Sequence, residues 1–332
     1  MSKRYLAATT GLALIMSLVA GCGSDSSESA GKPTIDIGYF PVISPVPFMQ
    51  EDSELNDKYD VNWVAVEQGL PGAASALAAG RLDLVYGNSF SATIIFSQSP
   101  EQAQFIGQSF VNENVTVVRK DSGITSIDQI TNRDVVASGE STASTIYFEI
   151  GLSQAGVDPN TNEYFIAGTG SGMVGALDSG DVEVAAGYVP YTADMVLKGI
   201  GEVIFDANDA IGGPAPGDGF IASTEWMSEN EEAAKDVLRS QFRATDHIKN
   251  APGEAYPVMA EFADASEEAV RYSFESGMIE FPDSYVPDTG ALEKAIALAD
   301  ELGFAPEGVD DLPGFASGFF NTELAESVES EQ

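Results

Sequence analysis

Hydroxyl, amide and carboxylate side chains gather at a few short turns of this chain. The segment 138–145, SGESTAST, stands between a strand-like and a helix-like run, so its backbone N–H groups and the hydroxyls of Ser141 and Thr142 converge on one point. Such a point suits a tetrahedral or planar oxyanion. Ordinary capping of the following helix is the alternative use of the same residues.

A second set of candidates lies at the ends of other predicted strands. Asn88 and Ser89 follow a strand and either donate to the same oxyanion or simply start a helix. Tyr39, Phe40 and Tyr188 would wall a cleft with aromatic surface, although aromatic residues at strand ends are also common in protein cores. Together these residue types predict a site for a small polar solute.

An internal repeat indicates how these turns are positioned. Residues 76–87, ALAAGRLDLVYG, align without a gap with residues 176–187, ALDSGDVEVAAG. In each copy a helix ends at a Gly that can adopt positive φ, a buried strand follows, and a second Gly permits a turn. Because β-branched runs and helix signals alternate around both copies, we predict an α/β protein with two lobes. The segments 86–90 and 187–191 would then face each other across one cleft.

Composition and single residues exclude several functional classes. The chain has 332 residues, with 52 acidic against 15 basic side chains and a net charge of -37, which repels nucleic acids and anionic membrane surfaces. The only histidine, His247, lies in a charged predicted helix, so neither a Ser-His-Asp triad nor a His-rich metal site is expected. The segment 170–175, GSGMVG, matches a dinucleotide fingerprint but takes the place of GLPGAA in the first repeat copy. We therefore predict no cofactor and no metal.

The N-terminus is typical of an export signal. Lys3 and Arg4 precede an apolar run over 6–20 that is too short to span a bilayer comfortably and ends in VAGC. This resembles a bacterial-type lipoprotein signal, which implies a signal peptide over 1–21 and lipid on Cys22, the only cysteine. Residues 22–32 are a predicted flexible tether. The protein is thus expected to be exported and lipid-anchored to the outer face of the cell membrane.

From Pro33 onward the chain resembles the substrate-binding proteins of ABC importers in the nitrate, aliphatic sulfonate, taurine and thiamine-precursor group. The segments that carry the resemblance are IDIGYFP at 35–41, the run 61–89, VVASGESTAS at 135–144, GALDSGDVEVAAGYVPY at 175–191 and GDGFIAS at 217–223. It implies two Rossmann-like lobes of the periplasmic-binding-protein type II-like kind. Lobe 1 would comprise 33–117 and 219–332, lobe 2 would comprise 118–218, and the hinge would lie near 117–120 and 217–220.

The same resemblance implies roles for particular residues. It places the turn 138–145 among the ligand contacts of lobe 2, and it places Asp218 where taurine-binding relatives hold an amine. The Thr-Thr-His that such relatives often carry is replaced here by Thr142 followed by Ala and Ser, so a His contact is missing. Glu140 would oppose a bare anion.

The predicted function is accordingly solute binding without catalysis. A monomer would capture a small sulfonate such as taurine and deliver it to an ABC permease, whose ATPase is a separate chain because no Walker A segment occurs here. Nitrate or a thiamine or pyrimidine precursor are alternative solutes. A secreted enzyme of the same two-lobed fold is the alternative class.

Overall fold

Short runs rich in β-branched and aromatic residues form the strands, as their composition favours. In this computed structural model, which describes residues 31–167 and 170–331, the strands are β1 (Thr34–Tyr39), β2 (Asp60–Ala65), β3 (Leu84–Asn88), β4 (Ala103–Gln108), β5 (Val111–Asn112), β6 (Asn114–Arg119), β7 (Asp134–Ala137), β8 (Glu163–Ile166), β9 (Val184–Tyr188), β10 (Gly201–Asp206), β11 (Asp218–Ser223) and β12 (Ile279–Glu280).

Helices connect the strands and fill the C-terminal third of the chain. They are α1 (Val46–Gln50), α2 (Ser53–Lys58), α3 (Gly69–Ala78), α4 (Ser89–Phe96), α5 (Ala143–Gln154), α6 (Gly170–Ser179), α7 (Tyr191–Leu197), α8 (Ala207–Ile211), α9 (Thr224–Glu229), α10 (Glu231–Asn250), α11 (Pro252–Phe262), α12 (Glu267–Glu275), α13 (Thr289–Glu301), α14 (Leu312–Phe319) and α15 (Thr322–Glu329), with 3-10 turns at Ile127–Gln129 and Pro159–Thr161. No helix in the described ranges is long and apolar enough to cross a bilayer. The predicted signal peptide, Cys22 and all but the last two residues of the tether lie outside the described residues.

The two larger sheets share one topology. The first has the order β2-β1-β3-β11-β4 and the second the order β8-β7-β9-β6-β10. In each, three parallel strands are followed by a strand that runs antiparallel to its neighbours. The chain changes sheets at these antiparallel strands. It leaves the first sheet after β4 and enters the second sheet as β6, and it leaves the second sheet after β10 and returns to the first sheet as β11. The sheets define two lobes, and the α/β fold with two lobes is as predicted.

The internal repeat corresponds to equivalent elements of the two sheets. The first copy covers the end of α3 and all but the last residue of β3, and the second copy covers the end of α6 and all but the last residue of β9. Gly80 and Gly180 end the helices with φ of 61° and 80°, conformations that a residue with Cβ rarely adopts. The repetition in sequence therefore reflects repetition of a supersecondary unit.

The chain crosses between the sheets earlier than the sequence suggested. Strand β4 ends at Gln108 and β6 starts at Asn114, so the first crossing is residues 109–113 rather than 117–120. Val117 and its neighbours pair with both β9 and β10 in the interior of the second sheet. Their β-branched composition, which suggested a linking strand, instead suits a buried central strand. The second crossing, residues 212–217, lies between α8 and β11 and ends where the predicted one begins.

The C-terminal segment is divided between the lobes. Helices α10 and α15 pack on the first lobe with α1 and α2. Helix α12 instead packs on α7, and apolar residues of α11 and α12 share a core cluster with β6, α6 and α7. The hydroxyl of Tyr191 in α7 also donates to the carbonyl of Ala263 at 2.9 Å. The assignment of all of 219–332 to lobe 1 therefore differs from the packing, because the apolar faces of α11 and α12 are buried against the second lobe.

Candidate functional site

Both lobes line one cavity of about 1020 Å³. Its walls come from the residues that follow β1 and β2, the ends of β3 and β9, and the turn after β7. In open α/β sheets this edge is where ligands bind, because the carboxyl ends of the strands and the N-termini of the following helices face it. This cavity is the candidate binding site.

Two acidic side chains meet in the wall of the cavity. Glu113 ends the first crossing with a φ of 64°, and Asp218 starts β11 at the end of the second crossing. The N–H of Glu113 donates to the carbonyl of Met278 at 3.0 Å, and its carbonyl accepts from the N–H of Val189 at 3.0 Å. The carbonyl of Asp218 accepts from the N–H of Ser109 at 2.8 Å. The backbone of both crossings thus holds the two carboxyl groups in place.

Burial favours the protonated forms of both carboxyl groups. Burial raises the pKa of Asp218 to about 6, against the opposing effect of hydrogen bonds from Glu113 and Asn88. Burial raises the pKa of Glu113 well above its usual range, and the neighbouring Asp218 raises it further. The protonated Glu113 carboxyl donates a hydrogen bond to Asp218. This hydrogen bond raises the pKa of Glu113, the donor, and lowers the pKa of Asp218, the acceptor. We refer to Glu113 and Asp218 as the carboxyl pair.

The charges that line the cavity are all acidic. Among the residues that the structure describes there, the ionisable acids are Glu67, Glu113 and Asp218, and none is Lys, Arg or His. Glu67 is exposed at the cavity surface, whereas Glu113 is buried and Asp218 is partly buried. The cavity therefore favours a group that is positively charged or that donates hydrogen bonds, because a buried anion without a cation is costly.

A hydroxyl cluster, composed of Ser138, Thr142, Ser144 and Thr145, lies at the start of α5. The Thr142 hydroxyl makes no capping bond to the helix; it donates to the carbonyl of Gly139 at 3.0 Å. The Ser138 hydroxyl donates to the Thr142 oxygen at 3.1 Å, and the Ser144 oxygen lies 3.2 Å from it. The hydroxyls are thus close enough to act on one ligand group.

Six of the nine predicted ligand contacts line this cavity: Phe40, Asn88, Ser141, Thr142, Tyr188 and Asp218. Asn88 also caps α4, because its side-chain oxygen accepts from the N–H of Ser91 at 3.1 Å. The ring of Tyr188 packs edge-on against Tyr191 with centroids 5.5 Å apart. Both uses that the sequence allowed for Asn88 therefore occur together, and the roles of all six in binding stay predictions.

The other three predicted residues lie elsewhere. Tyr39 points away from the cavity and packs on Phe262, with ring centroids 5.3 Å apart. Ser89 is buried, and its N–H donates to the carbonyl of Gly217 at 3.0 Å. Glu140 is exposed to solvent and is not among the lining residues. Tyr39 is next to the lining residue Phe40, but neighbours in an extended segment point in opposite directions, and Ser89 already belongs to α4.

Sequence reasoning missed Glu113 and Ser91. Glu113 stands between two asparagines at the end of a short strand, and Asn112 shares its positive φ, so an Asn-rich turn was the available signal. The Ser91 hydroxyl accepts from the N–H of Ala143 at 2.9 Å, which joins α4 of the first lobe to α5 of the second. The contact between two distant helices left no local signal in the sequence.

The fold is thus two α/β lobes with a solute-sized cavity between them. The model of the family described as ABC transporter, phosphonate, periplasmic substrate-binding protein matches residues 59–272, and the chain belongs to this family. Family membership confirms the predicted resemblance to ABC importer binding proteins. The family is extracytoplasmic, and it implies a small-molecule ligand and an ABC permease as partners.

Solved structures share the fold at low sequence identity. The periplasmic aliphatic sulphonate binding protein SsuA from Escherichia coli is 17% identical over 86% of this chain and 100% of its own, with a TM-score of 0.68. The periplasmic nitrate-binding protein NrtA from Synechocystis PCC 6803 is 13% identical over 90% of this chain and 89% of its own, with a TM-score of 0.75. The desulfurization enzyme DSZB is 12% identical over 90% of this chain and 99% of its own, with a TM-score of 0.63. No curated protein sequence matches the chain.

Proposed function

We propose that this protein captures a small zwitterion, an aminoalkyl sulfonate or aminoalkyl phosphonate, and delivers it to an ABC permease. The observation that carries the proposal is the carboxyl pair, buried in a cavity whose described lining holds no cationic side chain. Taurine is the first sulfonate candidate, and 2-aminoethylphosphonate is its phosphonate counterpart. The family match supports the phosphonate, and the fold shared with sulfonate-binding proteins supports the sulfonate.

The carboxyl pair is suited to an ammonium group. When an ammonium binds, the Glu113 proton is released to solvent, and both carboxylates are then paired with the positive charge and hydrogen-bonded to it. A bare anion would instead face the Asp218 carboxylate. At ~5 Å and an effective dielectric constant of ~20, that repulsion is about 3 kcal/mol. Nitrate and simple alkanesulfonates are therefore poorer candidates than an amino-substituted oxyanion.

The hydroxyl cluster is suited to the oxyanion end. Ser138, Thr142 and Ser144 of this cluster line the cavity together with Ser141, at the start of α5, where the positive end of the helix dipole also favours an anion. Sulfonate and phosphonate present three oxygens to such donors. The two ends of the solute would thus be held by opposite lobes and by the crossings between them, which supports closure of the lobes on the ligand.

A 4-aminopyrimidine is the second candidate, favoured by the aromatic lining. Phe40, Tyr188 and Tyr191 line the cavity, and their rings provide surface on which a heterocycle can stack. A protonated Glu113 and an ionised Asp218 offer one donor and one acceptor, which match a ring nitrogen and its adjacent amino group. This candidate corresponds to the thiamine-precursor alternative.

Binding without catalysis is part of the proposal. No histidine or cysteine occurs among the described lining residues, although the desulfurization enzyme DSZB shows that this fold also occurs in enzymes. We further propose that the mature protein is a monomer anchored by lipid on Cys22. Product analysis after long incubation with each candidate solute would contradict this proposal if the solute were consumed.

Isothermal calorimetry on the mature protein tests the proposed solute class. We expect taurine or 2-aminoethylphosphonate to bind at least about 100-fold more tightly than ethanesulfonate or nitrate, since each unpaired buried charge costs several kcal/mol. Asp218→Asn should remove most of this preference, whereas Glu67→Gln, which changes an exposed acid of the same cavity, should leave it intact. Preferential binding of ethanesulfonate or nitrate would refute the zwitterion. Binding of the aminopyrimidine alone would replace it with the second candidate.

A further inference from the structure

One wall of the cavity is apolar and faces space that a small zwitterion does not fill. The wall consists of Phe40, Val66, Leu70, Ile95 and Phe304, which all line the cavity and are only partly buried in the core cluster behind them. Partly buried apolar side chains at a cavity surface lose water contact when an apolar group covers them, which favours binding. We call this set the apolar wall.

The size of the cavity agrees with a second group on the ligand. At about 1020 Å³ it stands at the upper end of the roughly 300–1,000 Å³ that pockets for drug-sized molecules occupy. A solute as small as 2-aminoethylphosphonate would fill only the part near the carboxyl pair and the hydroxyl cluster. The remainder would hold water against apolar side chains, which is unfavourable.

Phe40 and Leu70 of the apolar wall lie beside Gly87, next to the polar end, and Ile95 extends the wall away from that end along α4. Asn88, beside the carboxyl pair, is the N-cap of this helix, and Ile95 lies near its end. With a rise of 1.5 Å per residue, the two positions are about 10 Å apart along the helix axis. The loop after α13 adds Phe304 and Pro306 to the lining. The cavity thus extends from a polar end beside the carboxyl pair to an apolar end near Ile95 and Phe304.

We infer that the solute carries an apolar substituent beside its amine, and that the apolar wall, with Phe304 contributed by the loop after α13, is a specificity subsite for that substituent. The inference rests on the proposed function, because the amine is placed at the carboxyl pair. The inference narrows the solute class from aminoalkyl oxyanions in general to those that carry a hydrocarbon group about the size of a cyclohexyl ring.

Calorimetry with matched compounds tests the subsite. The probes are taurine, N-cyclohexyl-2-aminoethanesulfonate, which adds a hydrocarbon ring to the same amine, and cyclohexylamine, which lacks the oxyanion. Each methylene moved from water into an apolar site improves affinity about fourfold. We expect the cyclohexyl compound to bind at least about 20-fold more tightly than taurine, since several methylenes are covered even if the fit is incomplete.

Phe304→Ala should weaken the cyclohexyl compound about 10-fold and change taurine by no more than about twofold, because only the former covers the ring. The retained affinity for taurine shows that the variant is folded. Phe315→Ala is the matched control, because Phe315 packs on the same core cluster and on Phe319 but does not line the cavity. It should leave both affinities unchanged.

The possible outcomes separate the subsite from the proposed function. If taurine binds but the cyclohexyl compound binds no better, or if Phe304→Ala weakens both equally, the subsite is wrong and the zwitterion stands. If neither sulfonate binds but cyclohexylamine does and depends on Phe304, the subsite stands and the oxyanion is wrong. If none of the three binds, the subsite is wrong, and the zwitterion is wrong as well if 2-aminoethylphosphonate also fails to bind.

Discussion

Replacing Asp218 with asparagine should make the ligand-free protein more stable at neutral pH. The wild-type chain holds the Asp218 carboxyl group away from solvent beside a second carboxyl group, which costs free energy once Asp218 is ionised. An asparagine has nearly the same shape and carries no charge. Its side-chain oxygen still accepts the hydrogen bond from the protonated Glu113 carboxyl.

The magnitude follows from the pKa values of Asp218. Its ordinary pKa of 3.8 rises to about 6 in the folded protein because of burial. Between these values the folded state binds more protons than the unfolded state, so the free energy of unfolding falls as the pH rises from about 4 to 6. The difference corresponds to about 3 kcal/mol. Glu113 changes in the same direction, because its pKa is also raised.

Urea unfolding of the ligand-free protein at pH 4.5 and pH 8 measures this effect. The wild-type free energy of unfolding should be lower at pH 8, and Asp218→Asn should regain about 1–3 kcal/mol there, the lower figure allowing for the amide hydrogens that asparagine adds. Glu67→Gln controls for the loss of one exposed negative charge. The reasoning is refuted if Asp218→Asn is less stable than the wild type at pH 8. It is also refuted if both proteins have the same pH dependence.

The same substitution should impair binding. A carboxylate paired with a buried ligand amine is costly to lose from one side, so affinity for an aminoalkyl oxyanion should fall by roughly 2–5 kcal/mol. A gain in stability together with a loss of affinity would indicate that the carboxylate is kept for binding rather than for folding. A loss of both would indicate that Asp218 has a structural role.

Three further substitutions probe the close packing of β11 on β4, the lobe contact and the anchor. Gly219→Ala should lower the free energy of unfolding by about 3 kcal/mol, because a methyl group there overlaps backbone of β4, whereas Gly175→Ala, with open space around it, should have little effect in the same urea assay. Ser91→Ala should remove the hydrogen bond to Ala143 and lower ligand affinity by about 1 kcal/mol, with a larger radius in small-angle scattering; an unchanged affinity would make the contact irrelevant to closure. Cys22→Ala should abolish metabolic lipid labelling and leave solute binding intact, and persistent labelling would contradict the lipoprotein assignment.

Local signals in the sequence were sufficient for the general fold. Helix-ending glycines at 80 and 180 and the repeated strand after each of them predicted two equivalent α/β units, because positive φ and strand propensity are expressed over a few neighbouring residues. The ends of those strands, Asn88 and Tyr188, line the cavity. The carboxyl ends of parallel strands meet at one edge whatever the details of packing.

Which side chains meet at the site depended on the tertiary structure. Glu113 and Asp218 lie far apart in sequence and become a pair only because the two crossings run side by side, and their raised pKa values arise from burial that only the packed lobes create. Likewise, Tyr39 and Phe40 are equally aromatic, and only the orientation of β1 between its two layers decided that Phe40 faces the cavity. The sequence by itself determined the two repeated α/β units and the order of helix and strand within each. The relative position of the units, and with it the chemistry of the site, required long-range packing that no local pattern encodes.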